Sequence, residues 1–205
     1  MKIKQKLLSP AASLWLACFF AALFWSFISP DHFTWFLEVV PAFIGLILLV
    51  LTRKRFPLTP LLYWLILIHS IILMIGGKYT YANVPAGFWV KDLLGLARNP
   101  YDRLGHFAQG FVPAILAREL LLRRGVVKSR GWLFFIVTCI CLAFSAFYEL
   151  IEWRTAVATG EKADAFLGTQ GDVWDTQWDM ATALIGALAG QLLLGRWHDR
   201  QLKKK

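Results

Sequence analysis

Six apolar runs, each close to the length of about 20 residues that carries an α-helix across a bilayer, constrain this chain more than any other feature. They fall at residues 8–28, 33–51, 59–76, 101–122, 132–153 and 175–195, with short polar clusters between them. In hydrocarbon every backbone N–H and C=O must be satisfied internally, so runs of this kind are helical. The predicted fold is therefore all-α: a polytopic transmembrane bundle of about six spans, forming one domain over residues 1–205 without internal repeats. Composition agrees, since 58% of the residues are hydrophobic and only 17% are charged. A water-soluble domain of this size carries a larger polar surface.

The N-terminus has the basic start of a secretory signal in Lys2, Lys4 and Lys6, but no small-residue cleavage site follows Phe24, Trp25 and Phe27. It reads as an uncleaved first span. Cys18, Cys139 and Cys141 all lie inside apolar runs, where they act as small hydrophobes rather than as a disulfide frame or zinc site.

Charge alternates from one connection to the next. One side collects sixteen of the 22 basic residues and two of the 13 acids, a net +14. The other side holds six basic residues and eleven acids, a net −5. An even number of spans places both termini on the basic side, which the positive-inside rule makes cytoplasmic. The chain's net charge of +9 is thus a topology signal with some attraction to anionic lipid, and nucleic acid is not an expected partner. Of the long outer connections, residues 77–100 carry Phe88, Trp89, Leu93 and Leu94 around Lys91 and Asp92, the pattern of a short interfacial helix. Residues 154–174 read as a loop over the outer mouth.

The outer half of the bundle concentrates ionisable groups. In the fourth run Asn99-Pro100 reads as an N-cap and first helical residue. Asp102, His106, Gln109 and Pro113 then share one helical stripe. Glu149 and Glu152 end the fifth run on a stripe with Ser145, beside Tyr148 and Trp153, which read as interfacial aromatics. Before the sixth run Asp172 reads as an N-cap and Asp175 as a first-turn acid, both ordinary structural roles. Asp179 lies too deep for capping and begins a stripe with Ala183, Gly186 and Gly190, whose small side chains let two helices approach closely. Glu38 and His69 lie at compatible depth in the second and third runs. Charge is costly in lipid, so scatter over five spans favours convergence on one polar site near the outer face. The expected members are Asp102, His106, Glu149, Glu152, Asp175 and Asp179, with Glu38, His69, Gln109 and Asp172 in a second rank. Carboxylates with imidazole suit a divalent cation such as Mg²⁺, Mn²⁺ or Zn²⁺. The same groups suit a proton relay or a structural hydrogen-bond network. No G-x-S-x-G or S-x-x-K motif supports a serine nucleophile.

Three stretches carry a resemblance: Tyr101-Asp102-Arg103-Leu104-Gly105-His106-Phe107, Tyr148-Glu149-Leu150-Ile151-Glu152-Trp153, and the segment from Gly168-Thr169-Gln170-Gly171-Asp172 through Val173-Trp174-Asp175-Thr176-Gln177-Trp178-Asp179-Met180. They resemble the YjdF family of predicted bacterial inner-membrane proteins over nearly the whole chain. The resemblance implies a multi-pass inner-membrane protein and supplies neither a reaction nor catalytic assignments. A fainter similarity to VanZ-like proteins, in the His-bearing helix, the Glu-bearing helix and the Asp-to-Gly stripe, is a likeness of fold and implies no function. Three classes of function remain open on the residues themselves. One is metal-assisted chemistry on a membrane lipid head group or lipid-linked substrate. The others are a non-catalytic organiser or binding protein, and an ion-coupled transporter.

Overall fold

The computed structural model describes residues 9–160 and 167–204. These residues form seven α-helices and one 3₁₀ turn, with no strand among them: α1 (Pro10–Phe27), α2 (His32–Thr52), α3 (Pro60–Tyr79), the turn Tyr81–Asn83, α4 (Pro85–Leu94), α5 (Tyr101–Arg123), α6 (Arg130–Thr159) and α7 (Asp175–Leu202). Lys2, Lys4, Lys6, Lys162, Asp164 and Lys205, which entered the charge pattern, lie outside the described residues.

Helix starts follow local chemistry. Ser9 accepts from the Ala12 amide ahead of Pro10 in the first turn of α1. Asp31 caps α2 by accepting from the amides of Phe33 and Thr34. Two of the expected caps are differently placed. Asn99 stands one residue before the cap position of α5, which Pro100 occupies, and its side chain accepts from the Tyr101 amide. Asp172 precedes the Trp174 cap of α7 and accepts from the Trp174 amide. Both are Asx-type turns leading into the helix rather than caps on it.

Five helices, α1, α2, α3, α6 and α7, are long and apolar enough to cross a membrane. The remaining expected span corresponds to α5, whose 23 residues would reach about 34 Å. Its composition does not single it out, because Asp102, Arg103, His106, Arg118, Glu119 and Arg123 all belong to it. The physical reason is its position: α5 packs against α3, α6 and α7 together, so neighbouring helices rather than lipid cover its polar side chains. The fifth expected span is longer than its apolar core, since α6 continues to Thr159 through part of what read as a loop. A ten-residue helix, α4, does lie in the connection between α3 and α5 and leaves Trp89 and Leu93 exposed.

The seam between α5 and α7 sets the position of everything polar. A Cβ on Gly110 would meet the Ala183 carbonyl oxygen at 1.7 Å, and one on Gly186 would meet that of Phe107 at 2.1 Å. The two backbones are in contact, as the small-residue stripe predicts. Asp179 heads this stripe and so turns towards α5.

Candidate functional site

At the acidic end of the seam, where α5 and α7 begin, Asp102, His106, Glu149, Glu152, Asp175 and Asp179 are all buried. They come from α5, α6 and α7, and the structure brings them together. The centre is His106, five residues into α5 and therefore about 7 Å below its start. Its Nε2 lies 3.5 Å from Asp102 Oδ1 and 3.6 Å from Asp179 Oδ1. Its Nδ1 lies 2.9 Å from Gln109 Oε1, one turn deeper on the same stripe. Glu149 Oε1 approaches that nitrogen to 3.8 Å and is buried without a hydrogen-bond partner. Ser145 Oγ, one turn below Glu149, is also buried and unpartnered. Tyr148 does not stand apart as an interfacial ring, because it meets His106 edge-on at 6.3 Å between centroids.

The second-rank residues divide. Glu38 is buried, accepts from the Tyr81 hydroxyl and lies in electrostatic reach of Asp102 and His106, so α2 also contributes to the cluster. Asp172 joins through the arginines described next. His69 is half-buried on α3 and senses His106 only through its charge.

Two members escaped the sequence reading, which counted them only as scattered outer bases. Arg103 Nη2 donates to Asp175 Oδ1 at 2.7 Å and to Asp172 Oδ2 at 3.2 Å, while its Nη1 pairs with Asp179. Arg98 pairs with Asp175, reaches Asp102 Oδ2 at 3.4 Å and donates to the Gly168 carbonyl at 3.0 Å. A planar guanidinium can serve several carboxylates in this way. Spacing gave a partial signal, since Arg98 and Asp102 are four apart on the way into α5. The 168–174 turn is held in register by a reciprocal pair: Gln170 Oε1 accepts from the Asn99 amide, and Gln170 Nε2 donates to the Asn99 carbonyl, both at 3.0 Å. Gln170 adopts a left-handed φ of 50° to make it.

Seven carboxyl groups (Glu38, Asp102, Glu149, Glu152, Asp172, Asp175 and Asp179) thus share two guanidiniums and one imidazole. Negative charge exceeds positive charge in a largely buried space, which demands additional protons or cations. Asp102, His106 and Asp179 each offer one ligand atom, all within 4.8 Å of one another. An ion held tetrahedrally at about 2.1 Å separates its ligand atoms by about 3.4 Å, close to the 3.5 and 3.6 Å seen around Nε2.

The opposite end of the same helices holds a smaller polar centre. Glu119 accepts from the Thr59 hydroxyl at 2.8 Å, from Arg123 Nη1 at 2.8 Å and from the Thr59 amide at 3.1 Å. Its Oε2 also lies 3.0 Å from His198 Nε2. Glu119, Thr59 and His198 are fully buried, so the basic end of the bundle is not as poor in polar contacts as the sequence pattern implied. This centre ties α3, α5 and α7 together.

Comparison with known proteins agrees with this architecture. The family described as "Predicted membrane protein (DUF2238)" matches residues 11–200. The chain is 59% identical over 174 residues to "Inner membrane protein YjdF" of Escherichia coli (strain K12), covering 85% of this chain and 83% of that protein. No solved structure matches. The chain belongs to this family of membrane proteins, and with several apolar helices it is a multi-pass membrane protein.

Proposed function

We propose that this member of the family binds a divalent cation between Asp102, His106 and Asp179 and uses it for chemistry on a lipid head group at the outer face of the inner membrane. One observation carries the reading. With Gln109 Oε1 as acceptor, His106 Nδ1 bears the proton, and in the neutral imidazole Nε2 then keeps its lone pair. That lone pair faces two carboxylates at 3.5 and 3.6 Å, an arrangement a cation relieves. Gln109 would then play the orienting part of an outer-shell partner to a ligating histidine. Three protein ligands leave a fourth position for water or substrate. A cation there would lower the pKa of a bound water and polarise a phosphoryl or carbonyl oxygen. Glu149 Oε1, without a hydrogen-bond partner and 3.8 Å from the imidazole, is placed to accept a proton.

The topology that puts this site outside has six spans, α5 included, with both termini cytoplasmic. It rests on the charge asymmetry between alternate connections. Asp92, exposed near the end of α4, then faces the periplasm. A cysteine at Asp92, in a chain lacking the three native cysteines, reacts with an impermeant thiol reagent in intact spheroplasts. Reaction only after lysis reverses the topology.

A second reading has support in the arginines. Arg103 already pairs with Asp179 and Asp175, and an imidazolium at His106 would complete a purely structural network. Metal analysis separates the two. Detergent-purified protein exposed to Zn²⁺, Mn²⁺ and Mg²⁺ in turn should retain about one equivalent of one ion after desalting. Asp179→Asn and His106→Gln should lose it with unchanged helical circular dichroism. No retained ion in the folded wild type refutes the metal reading. With the ion in place, head-group release from phospholipid vesicles, followed by mass spectrometry, tests the chemistry separately from the binding.

A further inference from the structure

Away from the polar clusters, an apolar cavity lies at the basic end of the bundle. Its volume is about 520 Å³, within the roughly 300–1,000 Å³ of ordinary ligand pockets. The fold explains why it is there. Helices α1 and α2 both pack on α3 but scarcely on each other. The four residues 28–31 tie them together at the acidic end, so they splay towards the basic end and leave the face of α3 open between them. Trp15 and Leu16 of α1, Leu46 and Val50 of α2, and Trp64 of α3 line the opening. Trp15 is fixed in that wall by donating from its indole Nε1 to the Tyr63 carbonyl at 2.7 Å.

The mouth is charged in one sense only. Arg53 is the one charged side chain on the wall, and Lys54 and Arg55 follow it at the surface. Arg53 is exposed, and no described residue accepts a hydrogen bond or ion pair from its guanidinium. Arg98, Arg103, Arg118 and Arg123, which are drawn into the bundle, each have a carboxylate partner. A slot of hydrocarbon-chain dimensions ending at an uncommitted guanidinium has the chemistry of a phospholipid: chain inside, phosphate outside.

We propose that this groove holds one anionic glycerophospholipid from the leaflet on the basic side, an acyl chain between α1 and α2 and its phosphate on Arg53. A zwitterionic lipid also brings a phosphate, but its ammonium group would meet Arg53, Lys54 and Arg55. Anionic lipid is attracted by each of those bases near a membrane surface. Residues 1–8 carry Lys2, Lys4 and Lys6 and no acid, so their charge does not complement Arg53. Such a lipid would fill the space between two helices that otherwise share little contact, and would fasten α1 to the bundle.

The test is native mass spectrometry of the full-length protein in detergent, titrated with phosphatidylglycerol or phosphatidylcholine of identical chains. The expected result is one retained phosphatidylglycerol, at least tenfold preferred over phosphatidylcholine. Arg53→Ala should reduce that preference to less than twofold, while Lys128→Ala, on a different connection of the same side, leaves it intact. Ala12→Phe, which fills the groove from α1, should lower retention of both lipids without changing helical content. A preference unchanged in Arg53→Ala, or full retention in Ala12→Phe, overturns the proposal. So does a rise in lipid retention on deleting residues 2–8, which would make that segment the occupant.

Discussion

Replacing Gly186 with alanine should disable the outer site although the residue lies nearly two helical turns below Asp179. An added Cβ would stand 2.1 Å from the Phe107 carbonyl oxygen, and contacts under 3.0 Å do not survive. The obstacle is backbone, so no rotamer change relieves it and the helices must part by at least 0.9 Å at that point. Phe107 follows His106 directly, so the displacement is felt where the imidazole meets Asp179. Their separation would grow from 3.6 Å to about 4.5 Å, too far for both to bind one ion at about 2.1 Å. Alanine gains about 1 kcal/mol of helix propensity over glycine, and overpacking costs about 1–3 kcal/mol or more. The net expectation is a loss of about 1–2 kcal/mol in stability, and at least tenfold in affinity for the cation. Gly45 is the control, since nothing lies within 4 Å of a Cβ there and Gly45→Ala should be neutral or stabilising. Thermal unfolding in detergent, with bound metal measured on the same samples, reads both quantities. Wild-type stability and metal content in Gly186→Ala would show that the seam does not position the site.

Arg103→Ala removes the guanidinium that joins Asp172, Asp175 and Asp179, and should cost about 3 kcal/mol in unfolding experiments. Arg103→Lys should recover less than half of it, because a point charge cannot span three acceptors. At the inner end, Glu119→Ala leaves Arg123, His198 and the Thr59 hydroxyl without their shared acceptor, and should lower stability by about 3–5 kcal/mol without affecting retention of metal at the outer site. At the α1–α2 corner, burial raises the pKa of Asp31, but hydrogen bonds from the Thr34 hydroxyl and the Thr34 and Phe33 amides outweigh it and leave the value below the ordinary 3.8. A depressed carboxyl contributes its stability above the unfolded value and loses it as pH falls through the folded one. Asp31→Ala should therefore cost about 1 kcal/mol near neutral pH, with the difference from wild type vanishing in strong acid. A gap in melting temperature that persists in acid would contradict this.

How far the sequence discloses the site depends on what fixes each residue. Asp102, His106 and Gln109 are legible because helical spacing alone puts them on one stripe. Asp179 is legible because the small residues below it must face another helix. The roles of Arg98 and Arg103 are not, since apart from Asp102 the acids they reach, Asp172, Asp175 and Asp179, stand 69 to 77 residues away in sequence. Glu119 is obscured in the same way, because Thr59 is 60 residues away and His198 is 79. Near a run of basic residues it reads as a solvated end group. Helix α5 illustrates the limit of hydropathy. A helix wrapped by α3, α6 and α7 needs no apolar outer face, so its window average falls below those of the peripheral helices.

The distribution of these contacts bears on the choice between a fixed site and a moving one. Alternating access requires one group of helices to rock or slide against another around the bound solute. Here the pair that supplies both His106 and Asp179 is fastened at three levels. Arg103 joins α5 to Asp175 and Asp179 at the outer end. Gly110 and Gly186 bring the two backbones into contact midway. At the inner end Arg118 meets Asp199 at 2.6 Å, beside the Glu119–His198 contact. Sliding α7 by one turn would break two sets of buried ion pairs and drive side chains into the glycine contacts. Each such loss costs several kcal/mol. A pair of helices held so closely favours a preorganised site, in which the protein's contribution is to keep a ligand set at fixed separation.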